Sequence, residues 1–137
     1  MRIGIGLLAM TAVSIGLAFL PTFFPFVPFA PADDPFFLSQ PLPAIEQSLK
    51  MFIAAFAGAY VARVPFVIAT IVYYVGMTLY AFYVVTLIAA PVEPVSVAEI
   101  TARNSIGAGL GLIAAVIGAN LGFRLSSAQS HKSQEAL

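Results

Sequence analysis

The chain contains no cysteine and a single histidine, His131. Disulfides, thiolate metal sites and cysteine nucleophiles are therefore excluded, and the redox compartment stays open. With His131 close to the C-terminus, no imidazole lies within the apolar segments to ligate a haem or chlorophyll. Charge is equally scarce. Only 9% of the 137 residues are charged, six basic against six acidic. A soluble domain carries about 25%, and no basic footprint for nucleic acid exists. What remains is 61% hydrophobic, with a mean hydropathy of +0.99. A chain with so few charges cannot build the polar face that a water-soluble domain needs, so the expected solvent is a lipid bilayer.

Four apolar segments approach the ~20 residues that a bilayer core requires. The first runs from Ile3 to Leu20 and ends at Pro21. It exceeds the ~7–15 residues of a signal-peptide core, so it reads as a first span, although Ala30-Pro31-Ala32 resembles a cleavage site. The second needs extension: Met51 to Ala62 is too short alone, and starting the helix near Pro43 adds Glu46 and Lys50, a favourable i,i+4 pair. Both charges are expected at helix-end depth, where a lysine can snorkel. The third segment covers Phe66 to Ala90 and stops before Pro91. The fourth opens on the capping-box pattern Ser96-Val97-Ala98-Glu99 and continues to Arg124. Only Val64 and Pro65 separate segments two and three, which predicts antiparallel neighbours. The expected architecture is an all-α bundle of four transmembrane helices, about 3–20, 44–63, 66–90 and 97–124. It comprises residues 1–125, followed by a polar tail over 126–137. Arg2, Arg63, Arg124 and Lys132 lie on one side against Lys50 and Arg103 on the other, and this bias places both termini in the cytoplasm. A bacterial inner membrane is the expected location.

Small residues recur every four positions. Helix two carries Ala54, Gly58 and Ala62. Helix four carries Gly107, Gly111, Ala115 and Ala119 on one ridge, with Ala114, Gly118 and Gly122 on the next. Such ridges let membrane helices approach closely. They serve either the internal packing of the bundle or the docking of a partner chain or second copy, and in the docking case Gly111→Leu would disrupt assembly. Ile53-Ala54-Ala55 with Gly58-Ala59 recurs as Ile113-Ala114-Ala115 with Gly118-Ala119, which suggests a duplicated two-helix hairpin. Gly107-Ala108-Gly109-Leu110-Gly111 follows no strand and is no phosphate loop.

Helix three bears a stripe of Thr70, Tyr73, Met77 and Tyr80 with Tyr74 and Thr78 alongside. Deep phenols want hydrogen-bond partners, found either in neighbouring backbone or Asn120, or in a polar path for a small molecule. All twelve ionisable residues map to helix ends, loops or the tail, and Asn120 is the one amide well inside an apolar segment. That distribution argues against coupling through a membrane carboxylate, and no metal, cofactor or catalytic constellation is expected.

The connection from 21 to 43 is Pro/Phe-rich, with seven of ten prolines and six of twelve phenylalanines. Pro25, Pro28 and Pro31 follow the period of polyproline II. Phe23, Phe24, Phe26, Phe29, Phe36 and Phe37 should not face water as one patch, so the loop is expected along the outer interface or over the bundle mouth. Asp33 and Asp34 at its tip read as a solvated turn. Taken together, these features predict a non-catalytic membrane subunit that packs through its small-residue faces and aromatic loop against a larger membrane complex or its own copies. The alternative is a small oligomeric transporter or channel with a path lined by Thr70, Tyr73, Tyr80 and Asn120.

Overall fold

The computed structural model describes residues 1–18, 36–89 and 95–135, and these are almost wholly helical. The elements in chain order are α1 (Arg2–Ala18), a short 3₁₀ turn (Phe37–Ser39), α2 (Pro41–Ala62), α3 (Val67–Ala89) and α4 (Val97–Glu135). Two stretches are long and apolar enough to cross a membrane, Val67–Ile88 in α3 and Val97–Gln129 in α4; α1 is a shorter apolar helix.

Local chemistry accounts for the boundaries. Helix α2 begins two residues before Pro43, because Pro41 takes the first helical position, where its missing N–H costs nothing. The helix ends on Arg63, whose left-handed backbone (φ 54°, ψ 29°) lets its N–H donate to the Ala59 carbonyl at 3.1 Å. Pro65 then prevents any continuation. At the start of α4 the Glu99 N–H donates to Ser96 Oγ at 3.2 Å, one half of the capping box. Glu99 does not complete the box, and its carboxylate pairs with Arg103 at 2.8 Å. The polar tail expected after 125 is helical as far as Glu135. No glycine or proline follows Gly122 to stop the helix, and Tyr60 OH donates to Gln129 Oε1 at 2.6 Å, tying this turn to α2.

Packing places the small residues inside the protomer. Helices α2 and α4 make the largest contact and run parallel. Gly107 lies against Leu38 and Ala44, Gly118 against the Phe52 carbonyl, and Gly122 against the Phe56 carbonyl and the Tyr60 N–H. Helix α1 lies antiparallel on α2. A Cβ on Gly6 would stand 2.7 Å from Phe66 and from Ala62, and one on Gly58 would stand 2.8 Å from the Gly6 carbonyl. The fully buried Phe66 ring seats on these two glycines. Helix α3 packs on α4, with Tyr74 over Gly111, and more slightly on α1. The main cluster joins Met10, Ala54, Ala55, Ala59, Ala62, Phe66, Tyr74, Ala115 and Ala119. A smaller one joins Leu38, Phe82, Val95 and Ile100, with Phe36 and Phe37 against it.

One expectation about neighbours fails. Helices α2 and α3 are antiparallel, but among the described residues they do not pack side by side. The left-handed turn at Arg63 and the buried Phe66 carry α3 away from α2, so α1 and α4 fill the space on either side. The outward surface is apolar along α3 and α4, where Ile68, Val72, Leu79, Ile106, Ile113 and Ile117 are all exposed.

Candidate functional site

The splay of α2 from α3 leaves a half-open cavity of about 500 Å³, within the ~300–1,000 Å³ range of small-molecule sites. Three helices and the 3₁₀ turn form its walls. Helix α1 contributes Thr11, Ser14 and Ile15, α2 contributes Gln47, Lys50 and Met51, and α3 contributes Tyr73, Met77 and Thr78; Phe37 and Leu38 close one end. Most of that surface is apolar, with polar groups contributed by all three helices.

Among the described residues, the one charge on the wall is Lys50. Its Nζ lies 2.6 Å from Glu46 Oε1, and both side chains are largely buried, at 17% and 7% exposure. Lys50 lies near the middle of the 22-residue α2. This corrects the expectation that every ionisable residue sits at a helix end. Sequence spacing correctly identified the pair but not its surroundings, because the helix begins two residues before Pro43 and α4 runs past both of its ends. Burial of two opposite charges is tolerable only when they neutralise one another, and the i,i+4 spacing on one helix achieves that.

Hydroxyl groups on the wall differ in what they have left to offer. Thr11 Oγ1 donates to the Leu7 carbonyl at 2.8 Å, and Tyr74 OH donates to the Ala108 carbonyl at 2.9 Å. Ser14 Oγ is buried and has no hydrogen-bond partner among the described residues. A buried hydroxyl without a partner is uncommon and marks a place where another molecule's polar atom would be welcome.

The four residues expected to line a polar path do not come together. Tyr73 lines the cavity. Thr70 is fully buried below it and donates to the Phe66 carbonyl at 3.0 Å. Tyr80 is 62% exposed on the outer side of α3. Asn120 is also exposed, its amide donating to the Val116 carbonyl at 3.0 Å. The buried amide on α4 is Asn104, which donates to the Ile100 carbonyl at 3.0 Å. Sequence reasoning passed over Asn104 because it directly follows Arg103; its place on the inward face of α4, three residues before Gly107, was the available signal. Gln47, Ser14 and Thr11 were missed as well, each a polar residue on an otherwise apolar helix face.

Every small residue singled out for docking is occupied within the protomer or borders its core. Ala54, Ala62, Ala115 and Ala119 are buried in the main cluster, Ala114 is half-buried beside it, and the glycines meet the neighbours described above. Of the aromatic loop, Phe36 and Phe37 pack against the second cluster, and the Arg103 guanidinium lies 4.4 Å from the Phe36 ring centroid. Phe23, Phe24, Phe26 and Phe29, like Asp33 and Asp34, lie outside the described residues. No group of three His, Asp or Glu side chains converges on a metal-sized space among the described residues.

Comparison of the chain with family models, with curated protein sequences and with solved structures finds no match in any of the three.

Proposed function

We propose that this chain is a four-span membrane protein that takes a small lipophilic molecule into the cavity between α1, α2 and α3, as a small transporter or carrier does. The observation that carries the reading is Lys50 on the cavity wall, buried and paired with Glu46 behind it. Between Arg103 and Arg124, α4 has an uncharged stretch from 104 to 123, about 30 Å of helix and so about one hydrocarbon core. Helix α2 runs parallel to α4 with Phe52 at the level of Gly118, which sets Lys50 within about a turn of the centre of that stretch. An ionisable group at such depth is costly, and its retention points to a ligand or transport route.

The same levels favour four crossings. Helix α2 matches the length of the uncharged part of α4, and its buried pair is neutral overall. Helix α1 is flanked by the basic Arg2, and α3 extends beyond the core with Tyr80 and Tyr83 at the depth of an aromatic belt. Arg2, Arg63 and Arg124 then share one side, which favours cytoplasmic termini. The duplicated-hairpin idea gains little from this arrangement. Gly58 and Gly118, which it would make equivalent, face α1 and α2 respectively.

The assembly role keeps one supporting observation. Asn120 lies on the outer face of α4 among Ile113, Ile117 and Leu121, and an amide facing lipid is a natural handle for a second helix. A second copy or a partner subunit would meet the protein there and not on the glycine ridges.

Extraction into lipid nanodiscs followed by native mass spectrometry tests the binding role. The protein is expected to retain a small lipophile, and Met77→Trp, which fills the cavity, is expected to release it. Identical masses for the two proteins after correction for the substitution, with no retained molecule, would reject a ligand-binding cavity.

A further inference from the structure

The reading above leaves the ligand's chemistry open, and the charge count of the cavity narrows it. Resting on that reading, we propose that the cavity selects an uncharged lipophile with a hydrogen-bond-accepting head, an amide or ketone carbonyl, held on the Lys50 ammonium in the cavity that Ser14 also lines.

Two observations lead to the acceptor. The pair presents its cationic member to the cavity: Lys50 lines the wall and Glu46 does not. An ammonium carries three N–H donors, and Glu46 is its one partner among the described residues, so donors remain for a ligand oxygen. Ser14 Oγ, buried on the α1 wall with no partner among the described residues, adds a second group able to donate.

The absence of net charge follows from the same pair. Lys50 and Glu46 already cancel. A carboxylate or phosphate head would bring a third charge to the centre of a low-dielectric bundle and leave it uncompensated, which is the costly situation. A carbonyl accepts the same N–H donors without that penalty. The rest of the wall, from Ile15, Met51, Met77 and Phe82, suits a single hydrocarbon chain or ring. The volume encloses a molecule of drug size and is too small for a whole two-chain lipid.

Three probes of equal chain length separate the possibilities: radiolabelled dodecanamide, dodecanoate and dodecane. Each is equilibrated at pH 8 with the full-length protein in nanodiscs and corrected for empty nanodiscs. Dodecanamide is expected to bind at least about tenfold more tightly than either of the others. E46Q/K50M, which removes both charges together, is expected to weaken dodecanamide by about tenfold to a hundredfold, the worth of a hydrogen bond to a charged group, and to leave dodecane unchanged. E46Q alone leaves Lys50 uncompensated and is expected to turn the preference toward dodecanoate. Tighter binding of dodecanoate by the wild-type protein, or unchanged dodecanamide binding by E46Q/K50M, overturns the proposal. Equal binding of dodecane and dodecanamide also overturns it while leaving the cavity reading intact. Binding of none of the three above empty nanodiscs rejects both.

Discussion

Gly118 offers the clearest test of how α2 and α4 are held. Replacing it with alanine adds one methyl group, and that Cβ would run into the Phe52 carbonyl oxygen, with the Phe52 carbonyl carbon 3.1 Å and Cα 3.2 Å away. All three are backbone atoms, so no rotamer change relieves the overlap and the two helices must separate. Overpacking of this kind costs about 1–3 kcal/mol, and the rigidity of both partners puts it in the upper half of that range. Alanine is the better helix former by about 1 kcal/mol, which offsets part of the loss and leaves a net destabilisation of about 1–2 kcal/mol. Gly109, about two and a half turns earlier on the same helix, has nothing within 4 Å of its Cβ position. There the same substitution should be neutral or gain up to about 1 kcal/mol. The pair of variants should therefore differ by about 1–3 kcal/mol in reversible unfolding by sodium dodecyl sulfate from mixed micelles, followed by circular dichroism. Equal stabilities, or a more damaging change at Gly109, would refute the parallel packing of α2 on α4.

Three further outcomes follow. Gly111→Leu should destabilise the protomer itself by displacing Tyr74 from α4, lowering Tm in detergent whether or not a partner is present; a loss of assembly with unchanged protomer stability would contradict this. Arg63→Gly should raise stability by up to about 1 kcal/mol, because the left-handed backbone at φ 54° suits glycine, and an unchanged or lower Tm would count against the turn. Lys50→Met alone should cost about 3–5 kcal/mol by stranding the buried Glu46 carboxylate, whereas E46Q/K50M should cost much less; denaturant titrations of the two in nanodiscs would reveal a difference, and equal losses would show that the pair is not buried as a unit.

Much of the helical frame was legible in the residues. Apolar length and the punctuation at Pro65 and Ser96 predict four helices whose ends agree with the structure to within a few residues, apart from the last. The small residues at four-residue spacing fall on close-packed faces: Ala54 and Ala62 are buried, and a Cβ at Gly58, Gly107, Gly111, Gly118 or Gly122 would overlap a neighbour. Spacing could not say which neighbour each ridge meets. That depends on the relative direction and register of helices distant in sequence. The cavity was invisible for the same reason: it exists because α2 and α3, adjacent in the chain, are apart in space. Register also hid the surroundings of Glu46 and Lys50, which read as helix-end charges but lie within α2 and are largely buried. Asn120 was expected to partner the tyrosines but is exposed, and the buried Asn104 was passed over, because both lie on an amphipathically weak helix where composition gives little sign of the inward face.

The central claim is that α2 crosses the membrane and so carries Glu46 and Lys50 to its middle. The chain has no cysteine, so single cysteines can be introduced without background at Gln40 and Val64, on either side of α2, and tested with a membrane-impermeant maleimide on intact and opened cells. The account predicts that Gln40→Cys labels from outside in intact cells and Val64→Cys only after the cells are opened. Labelling of both positions from the same side would show that α2 does not cross, and the buried pair would then not lie at membrane depth.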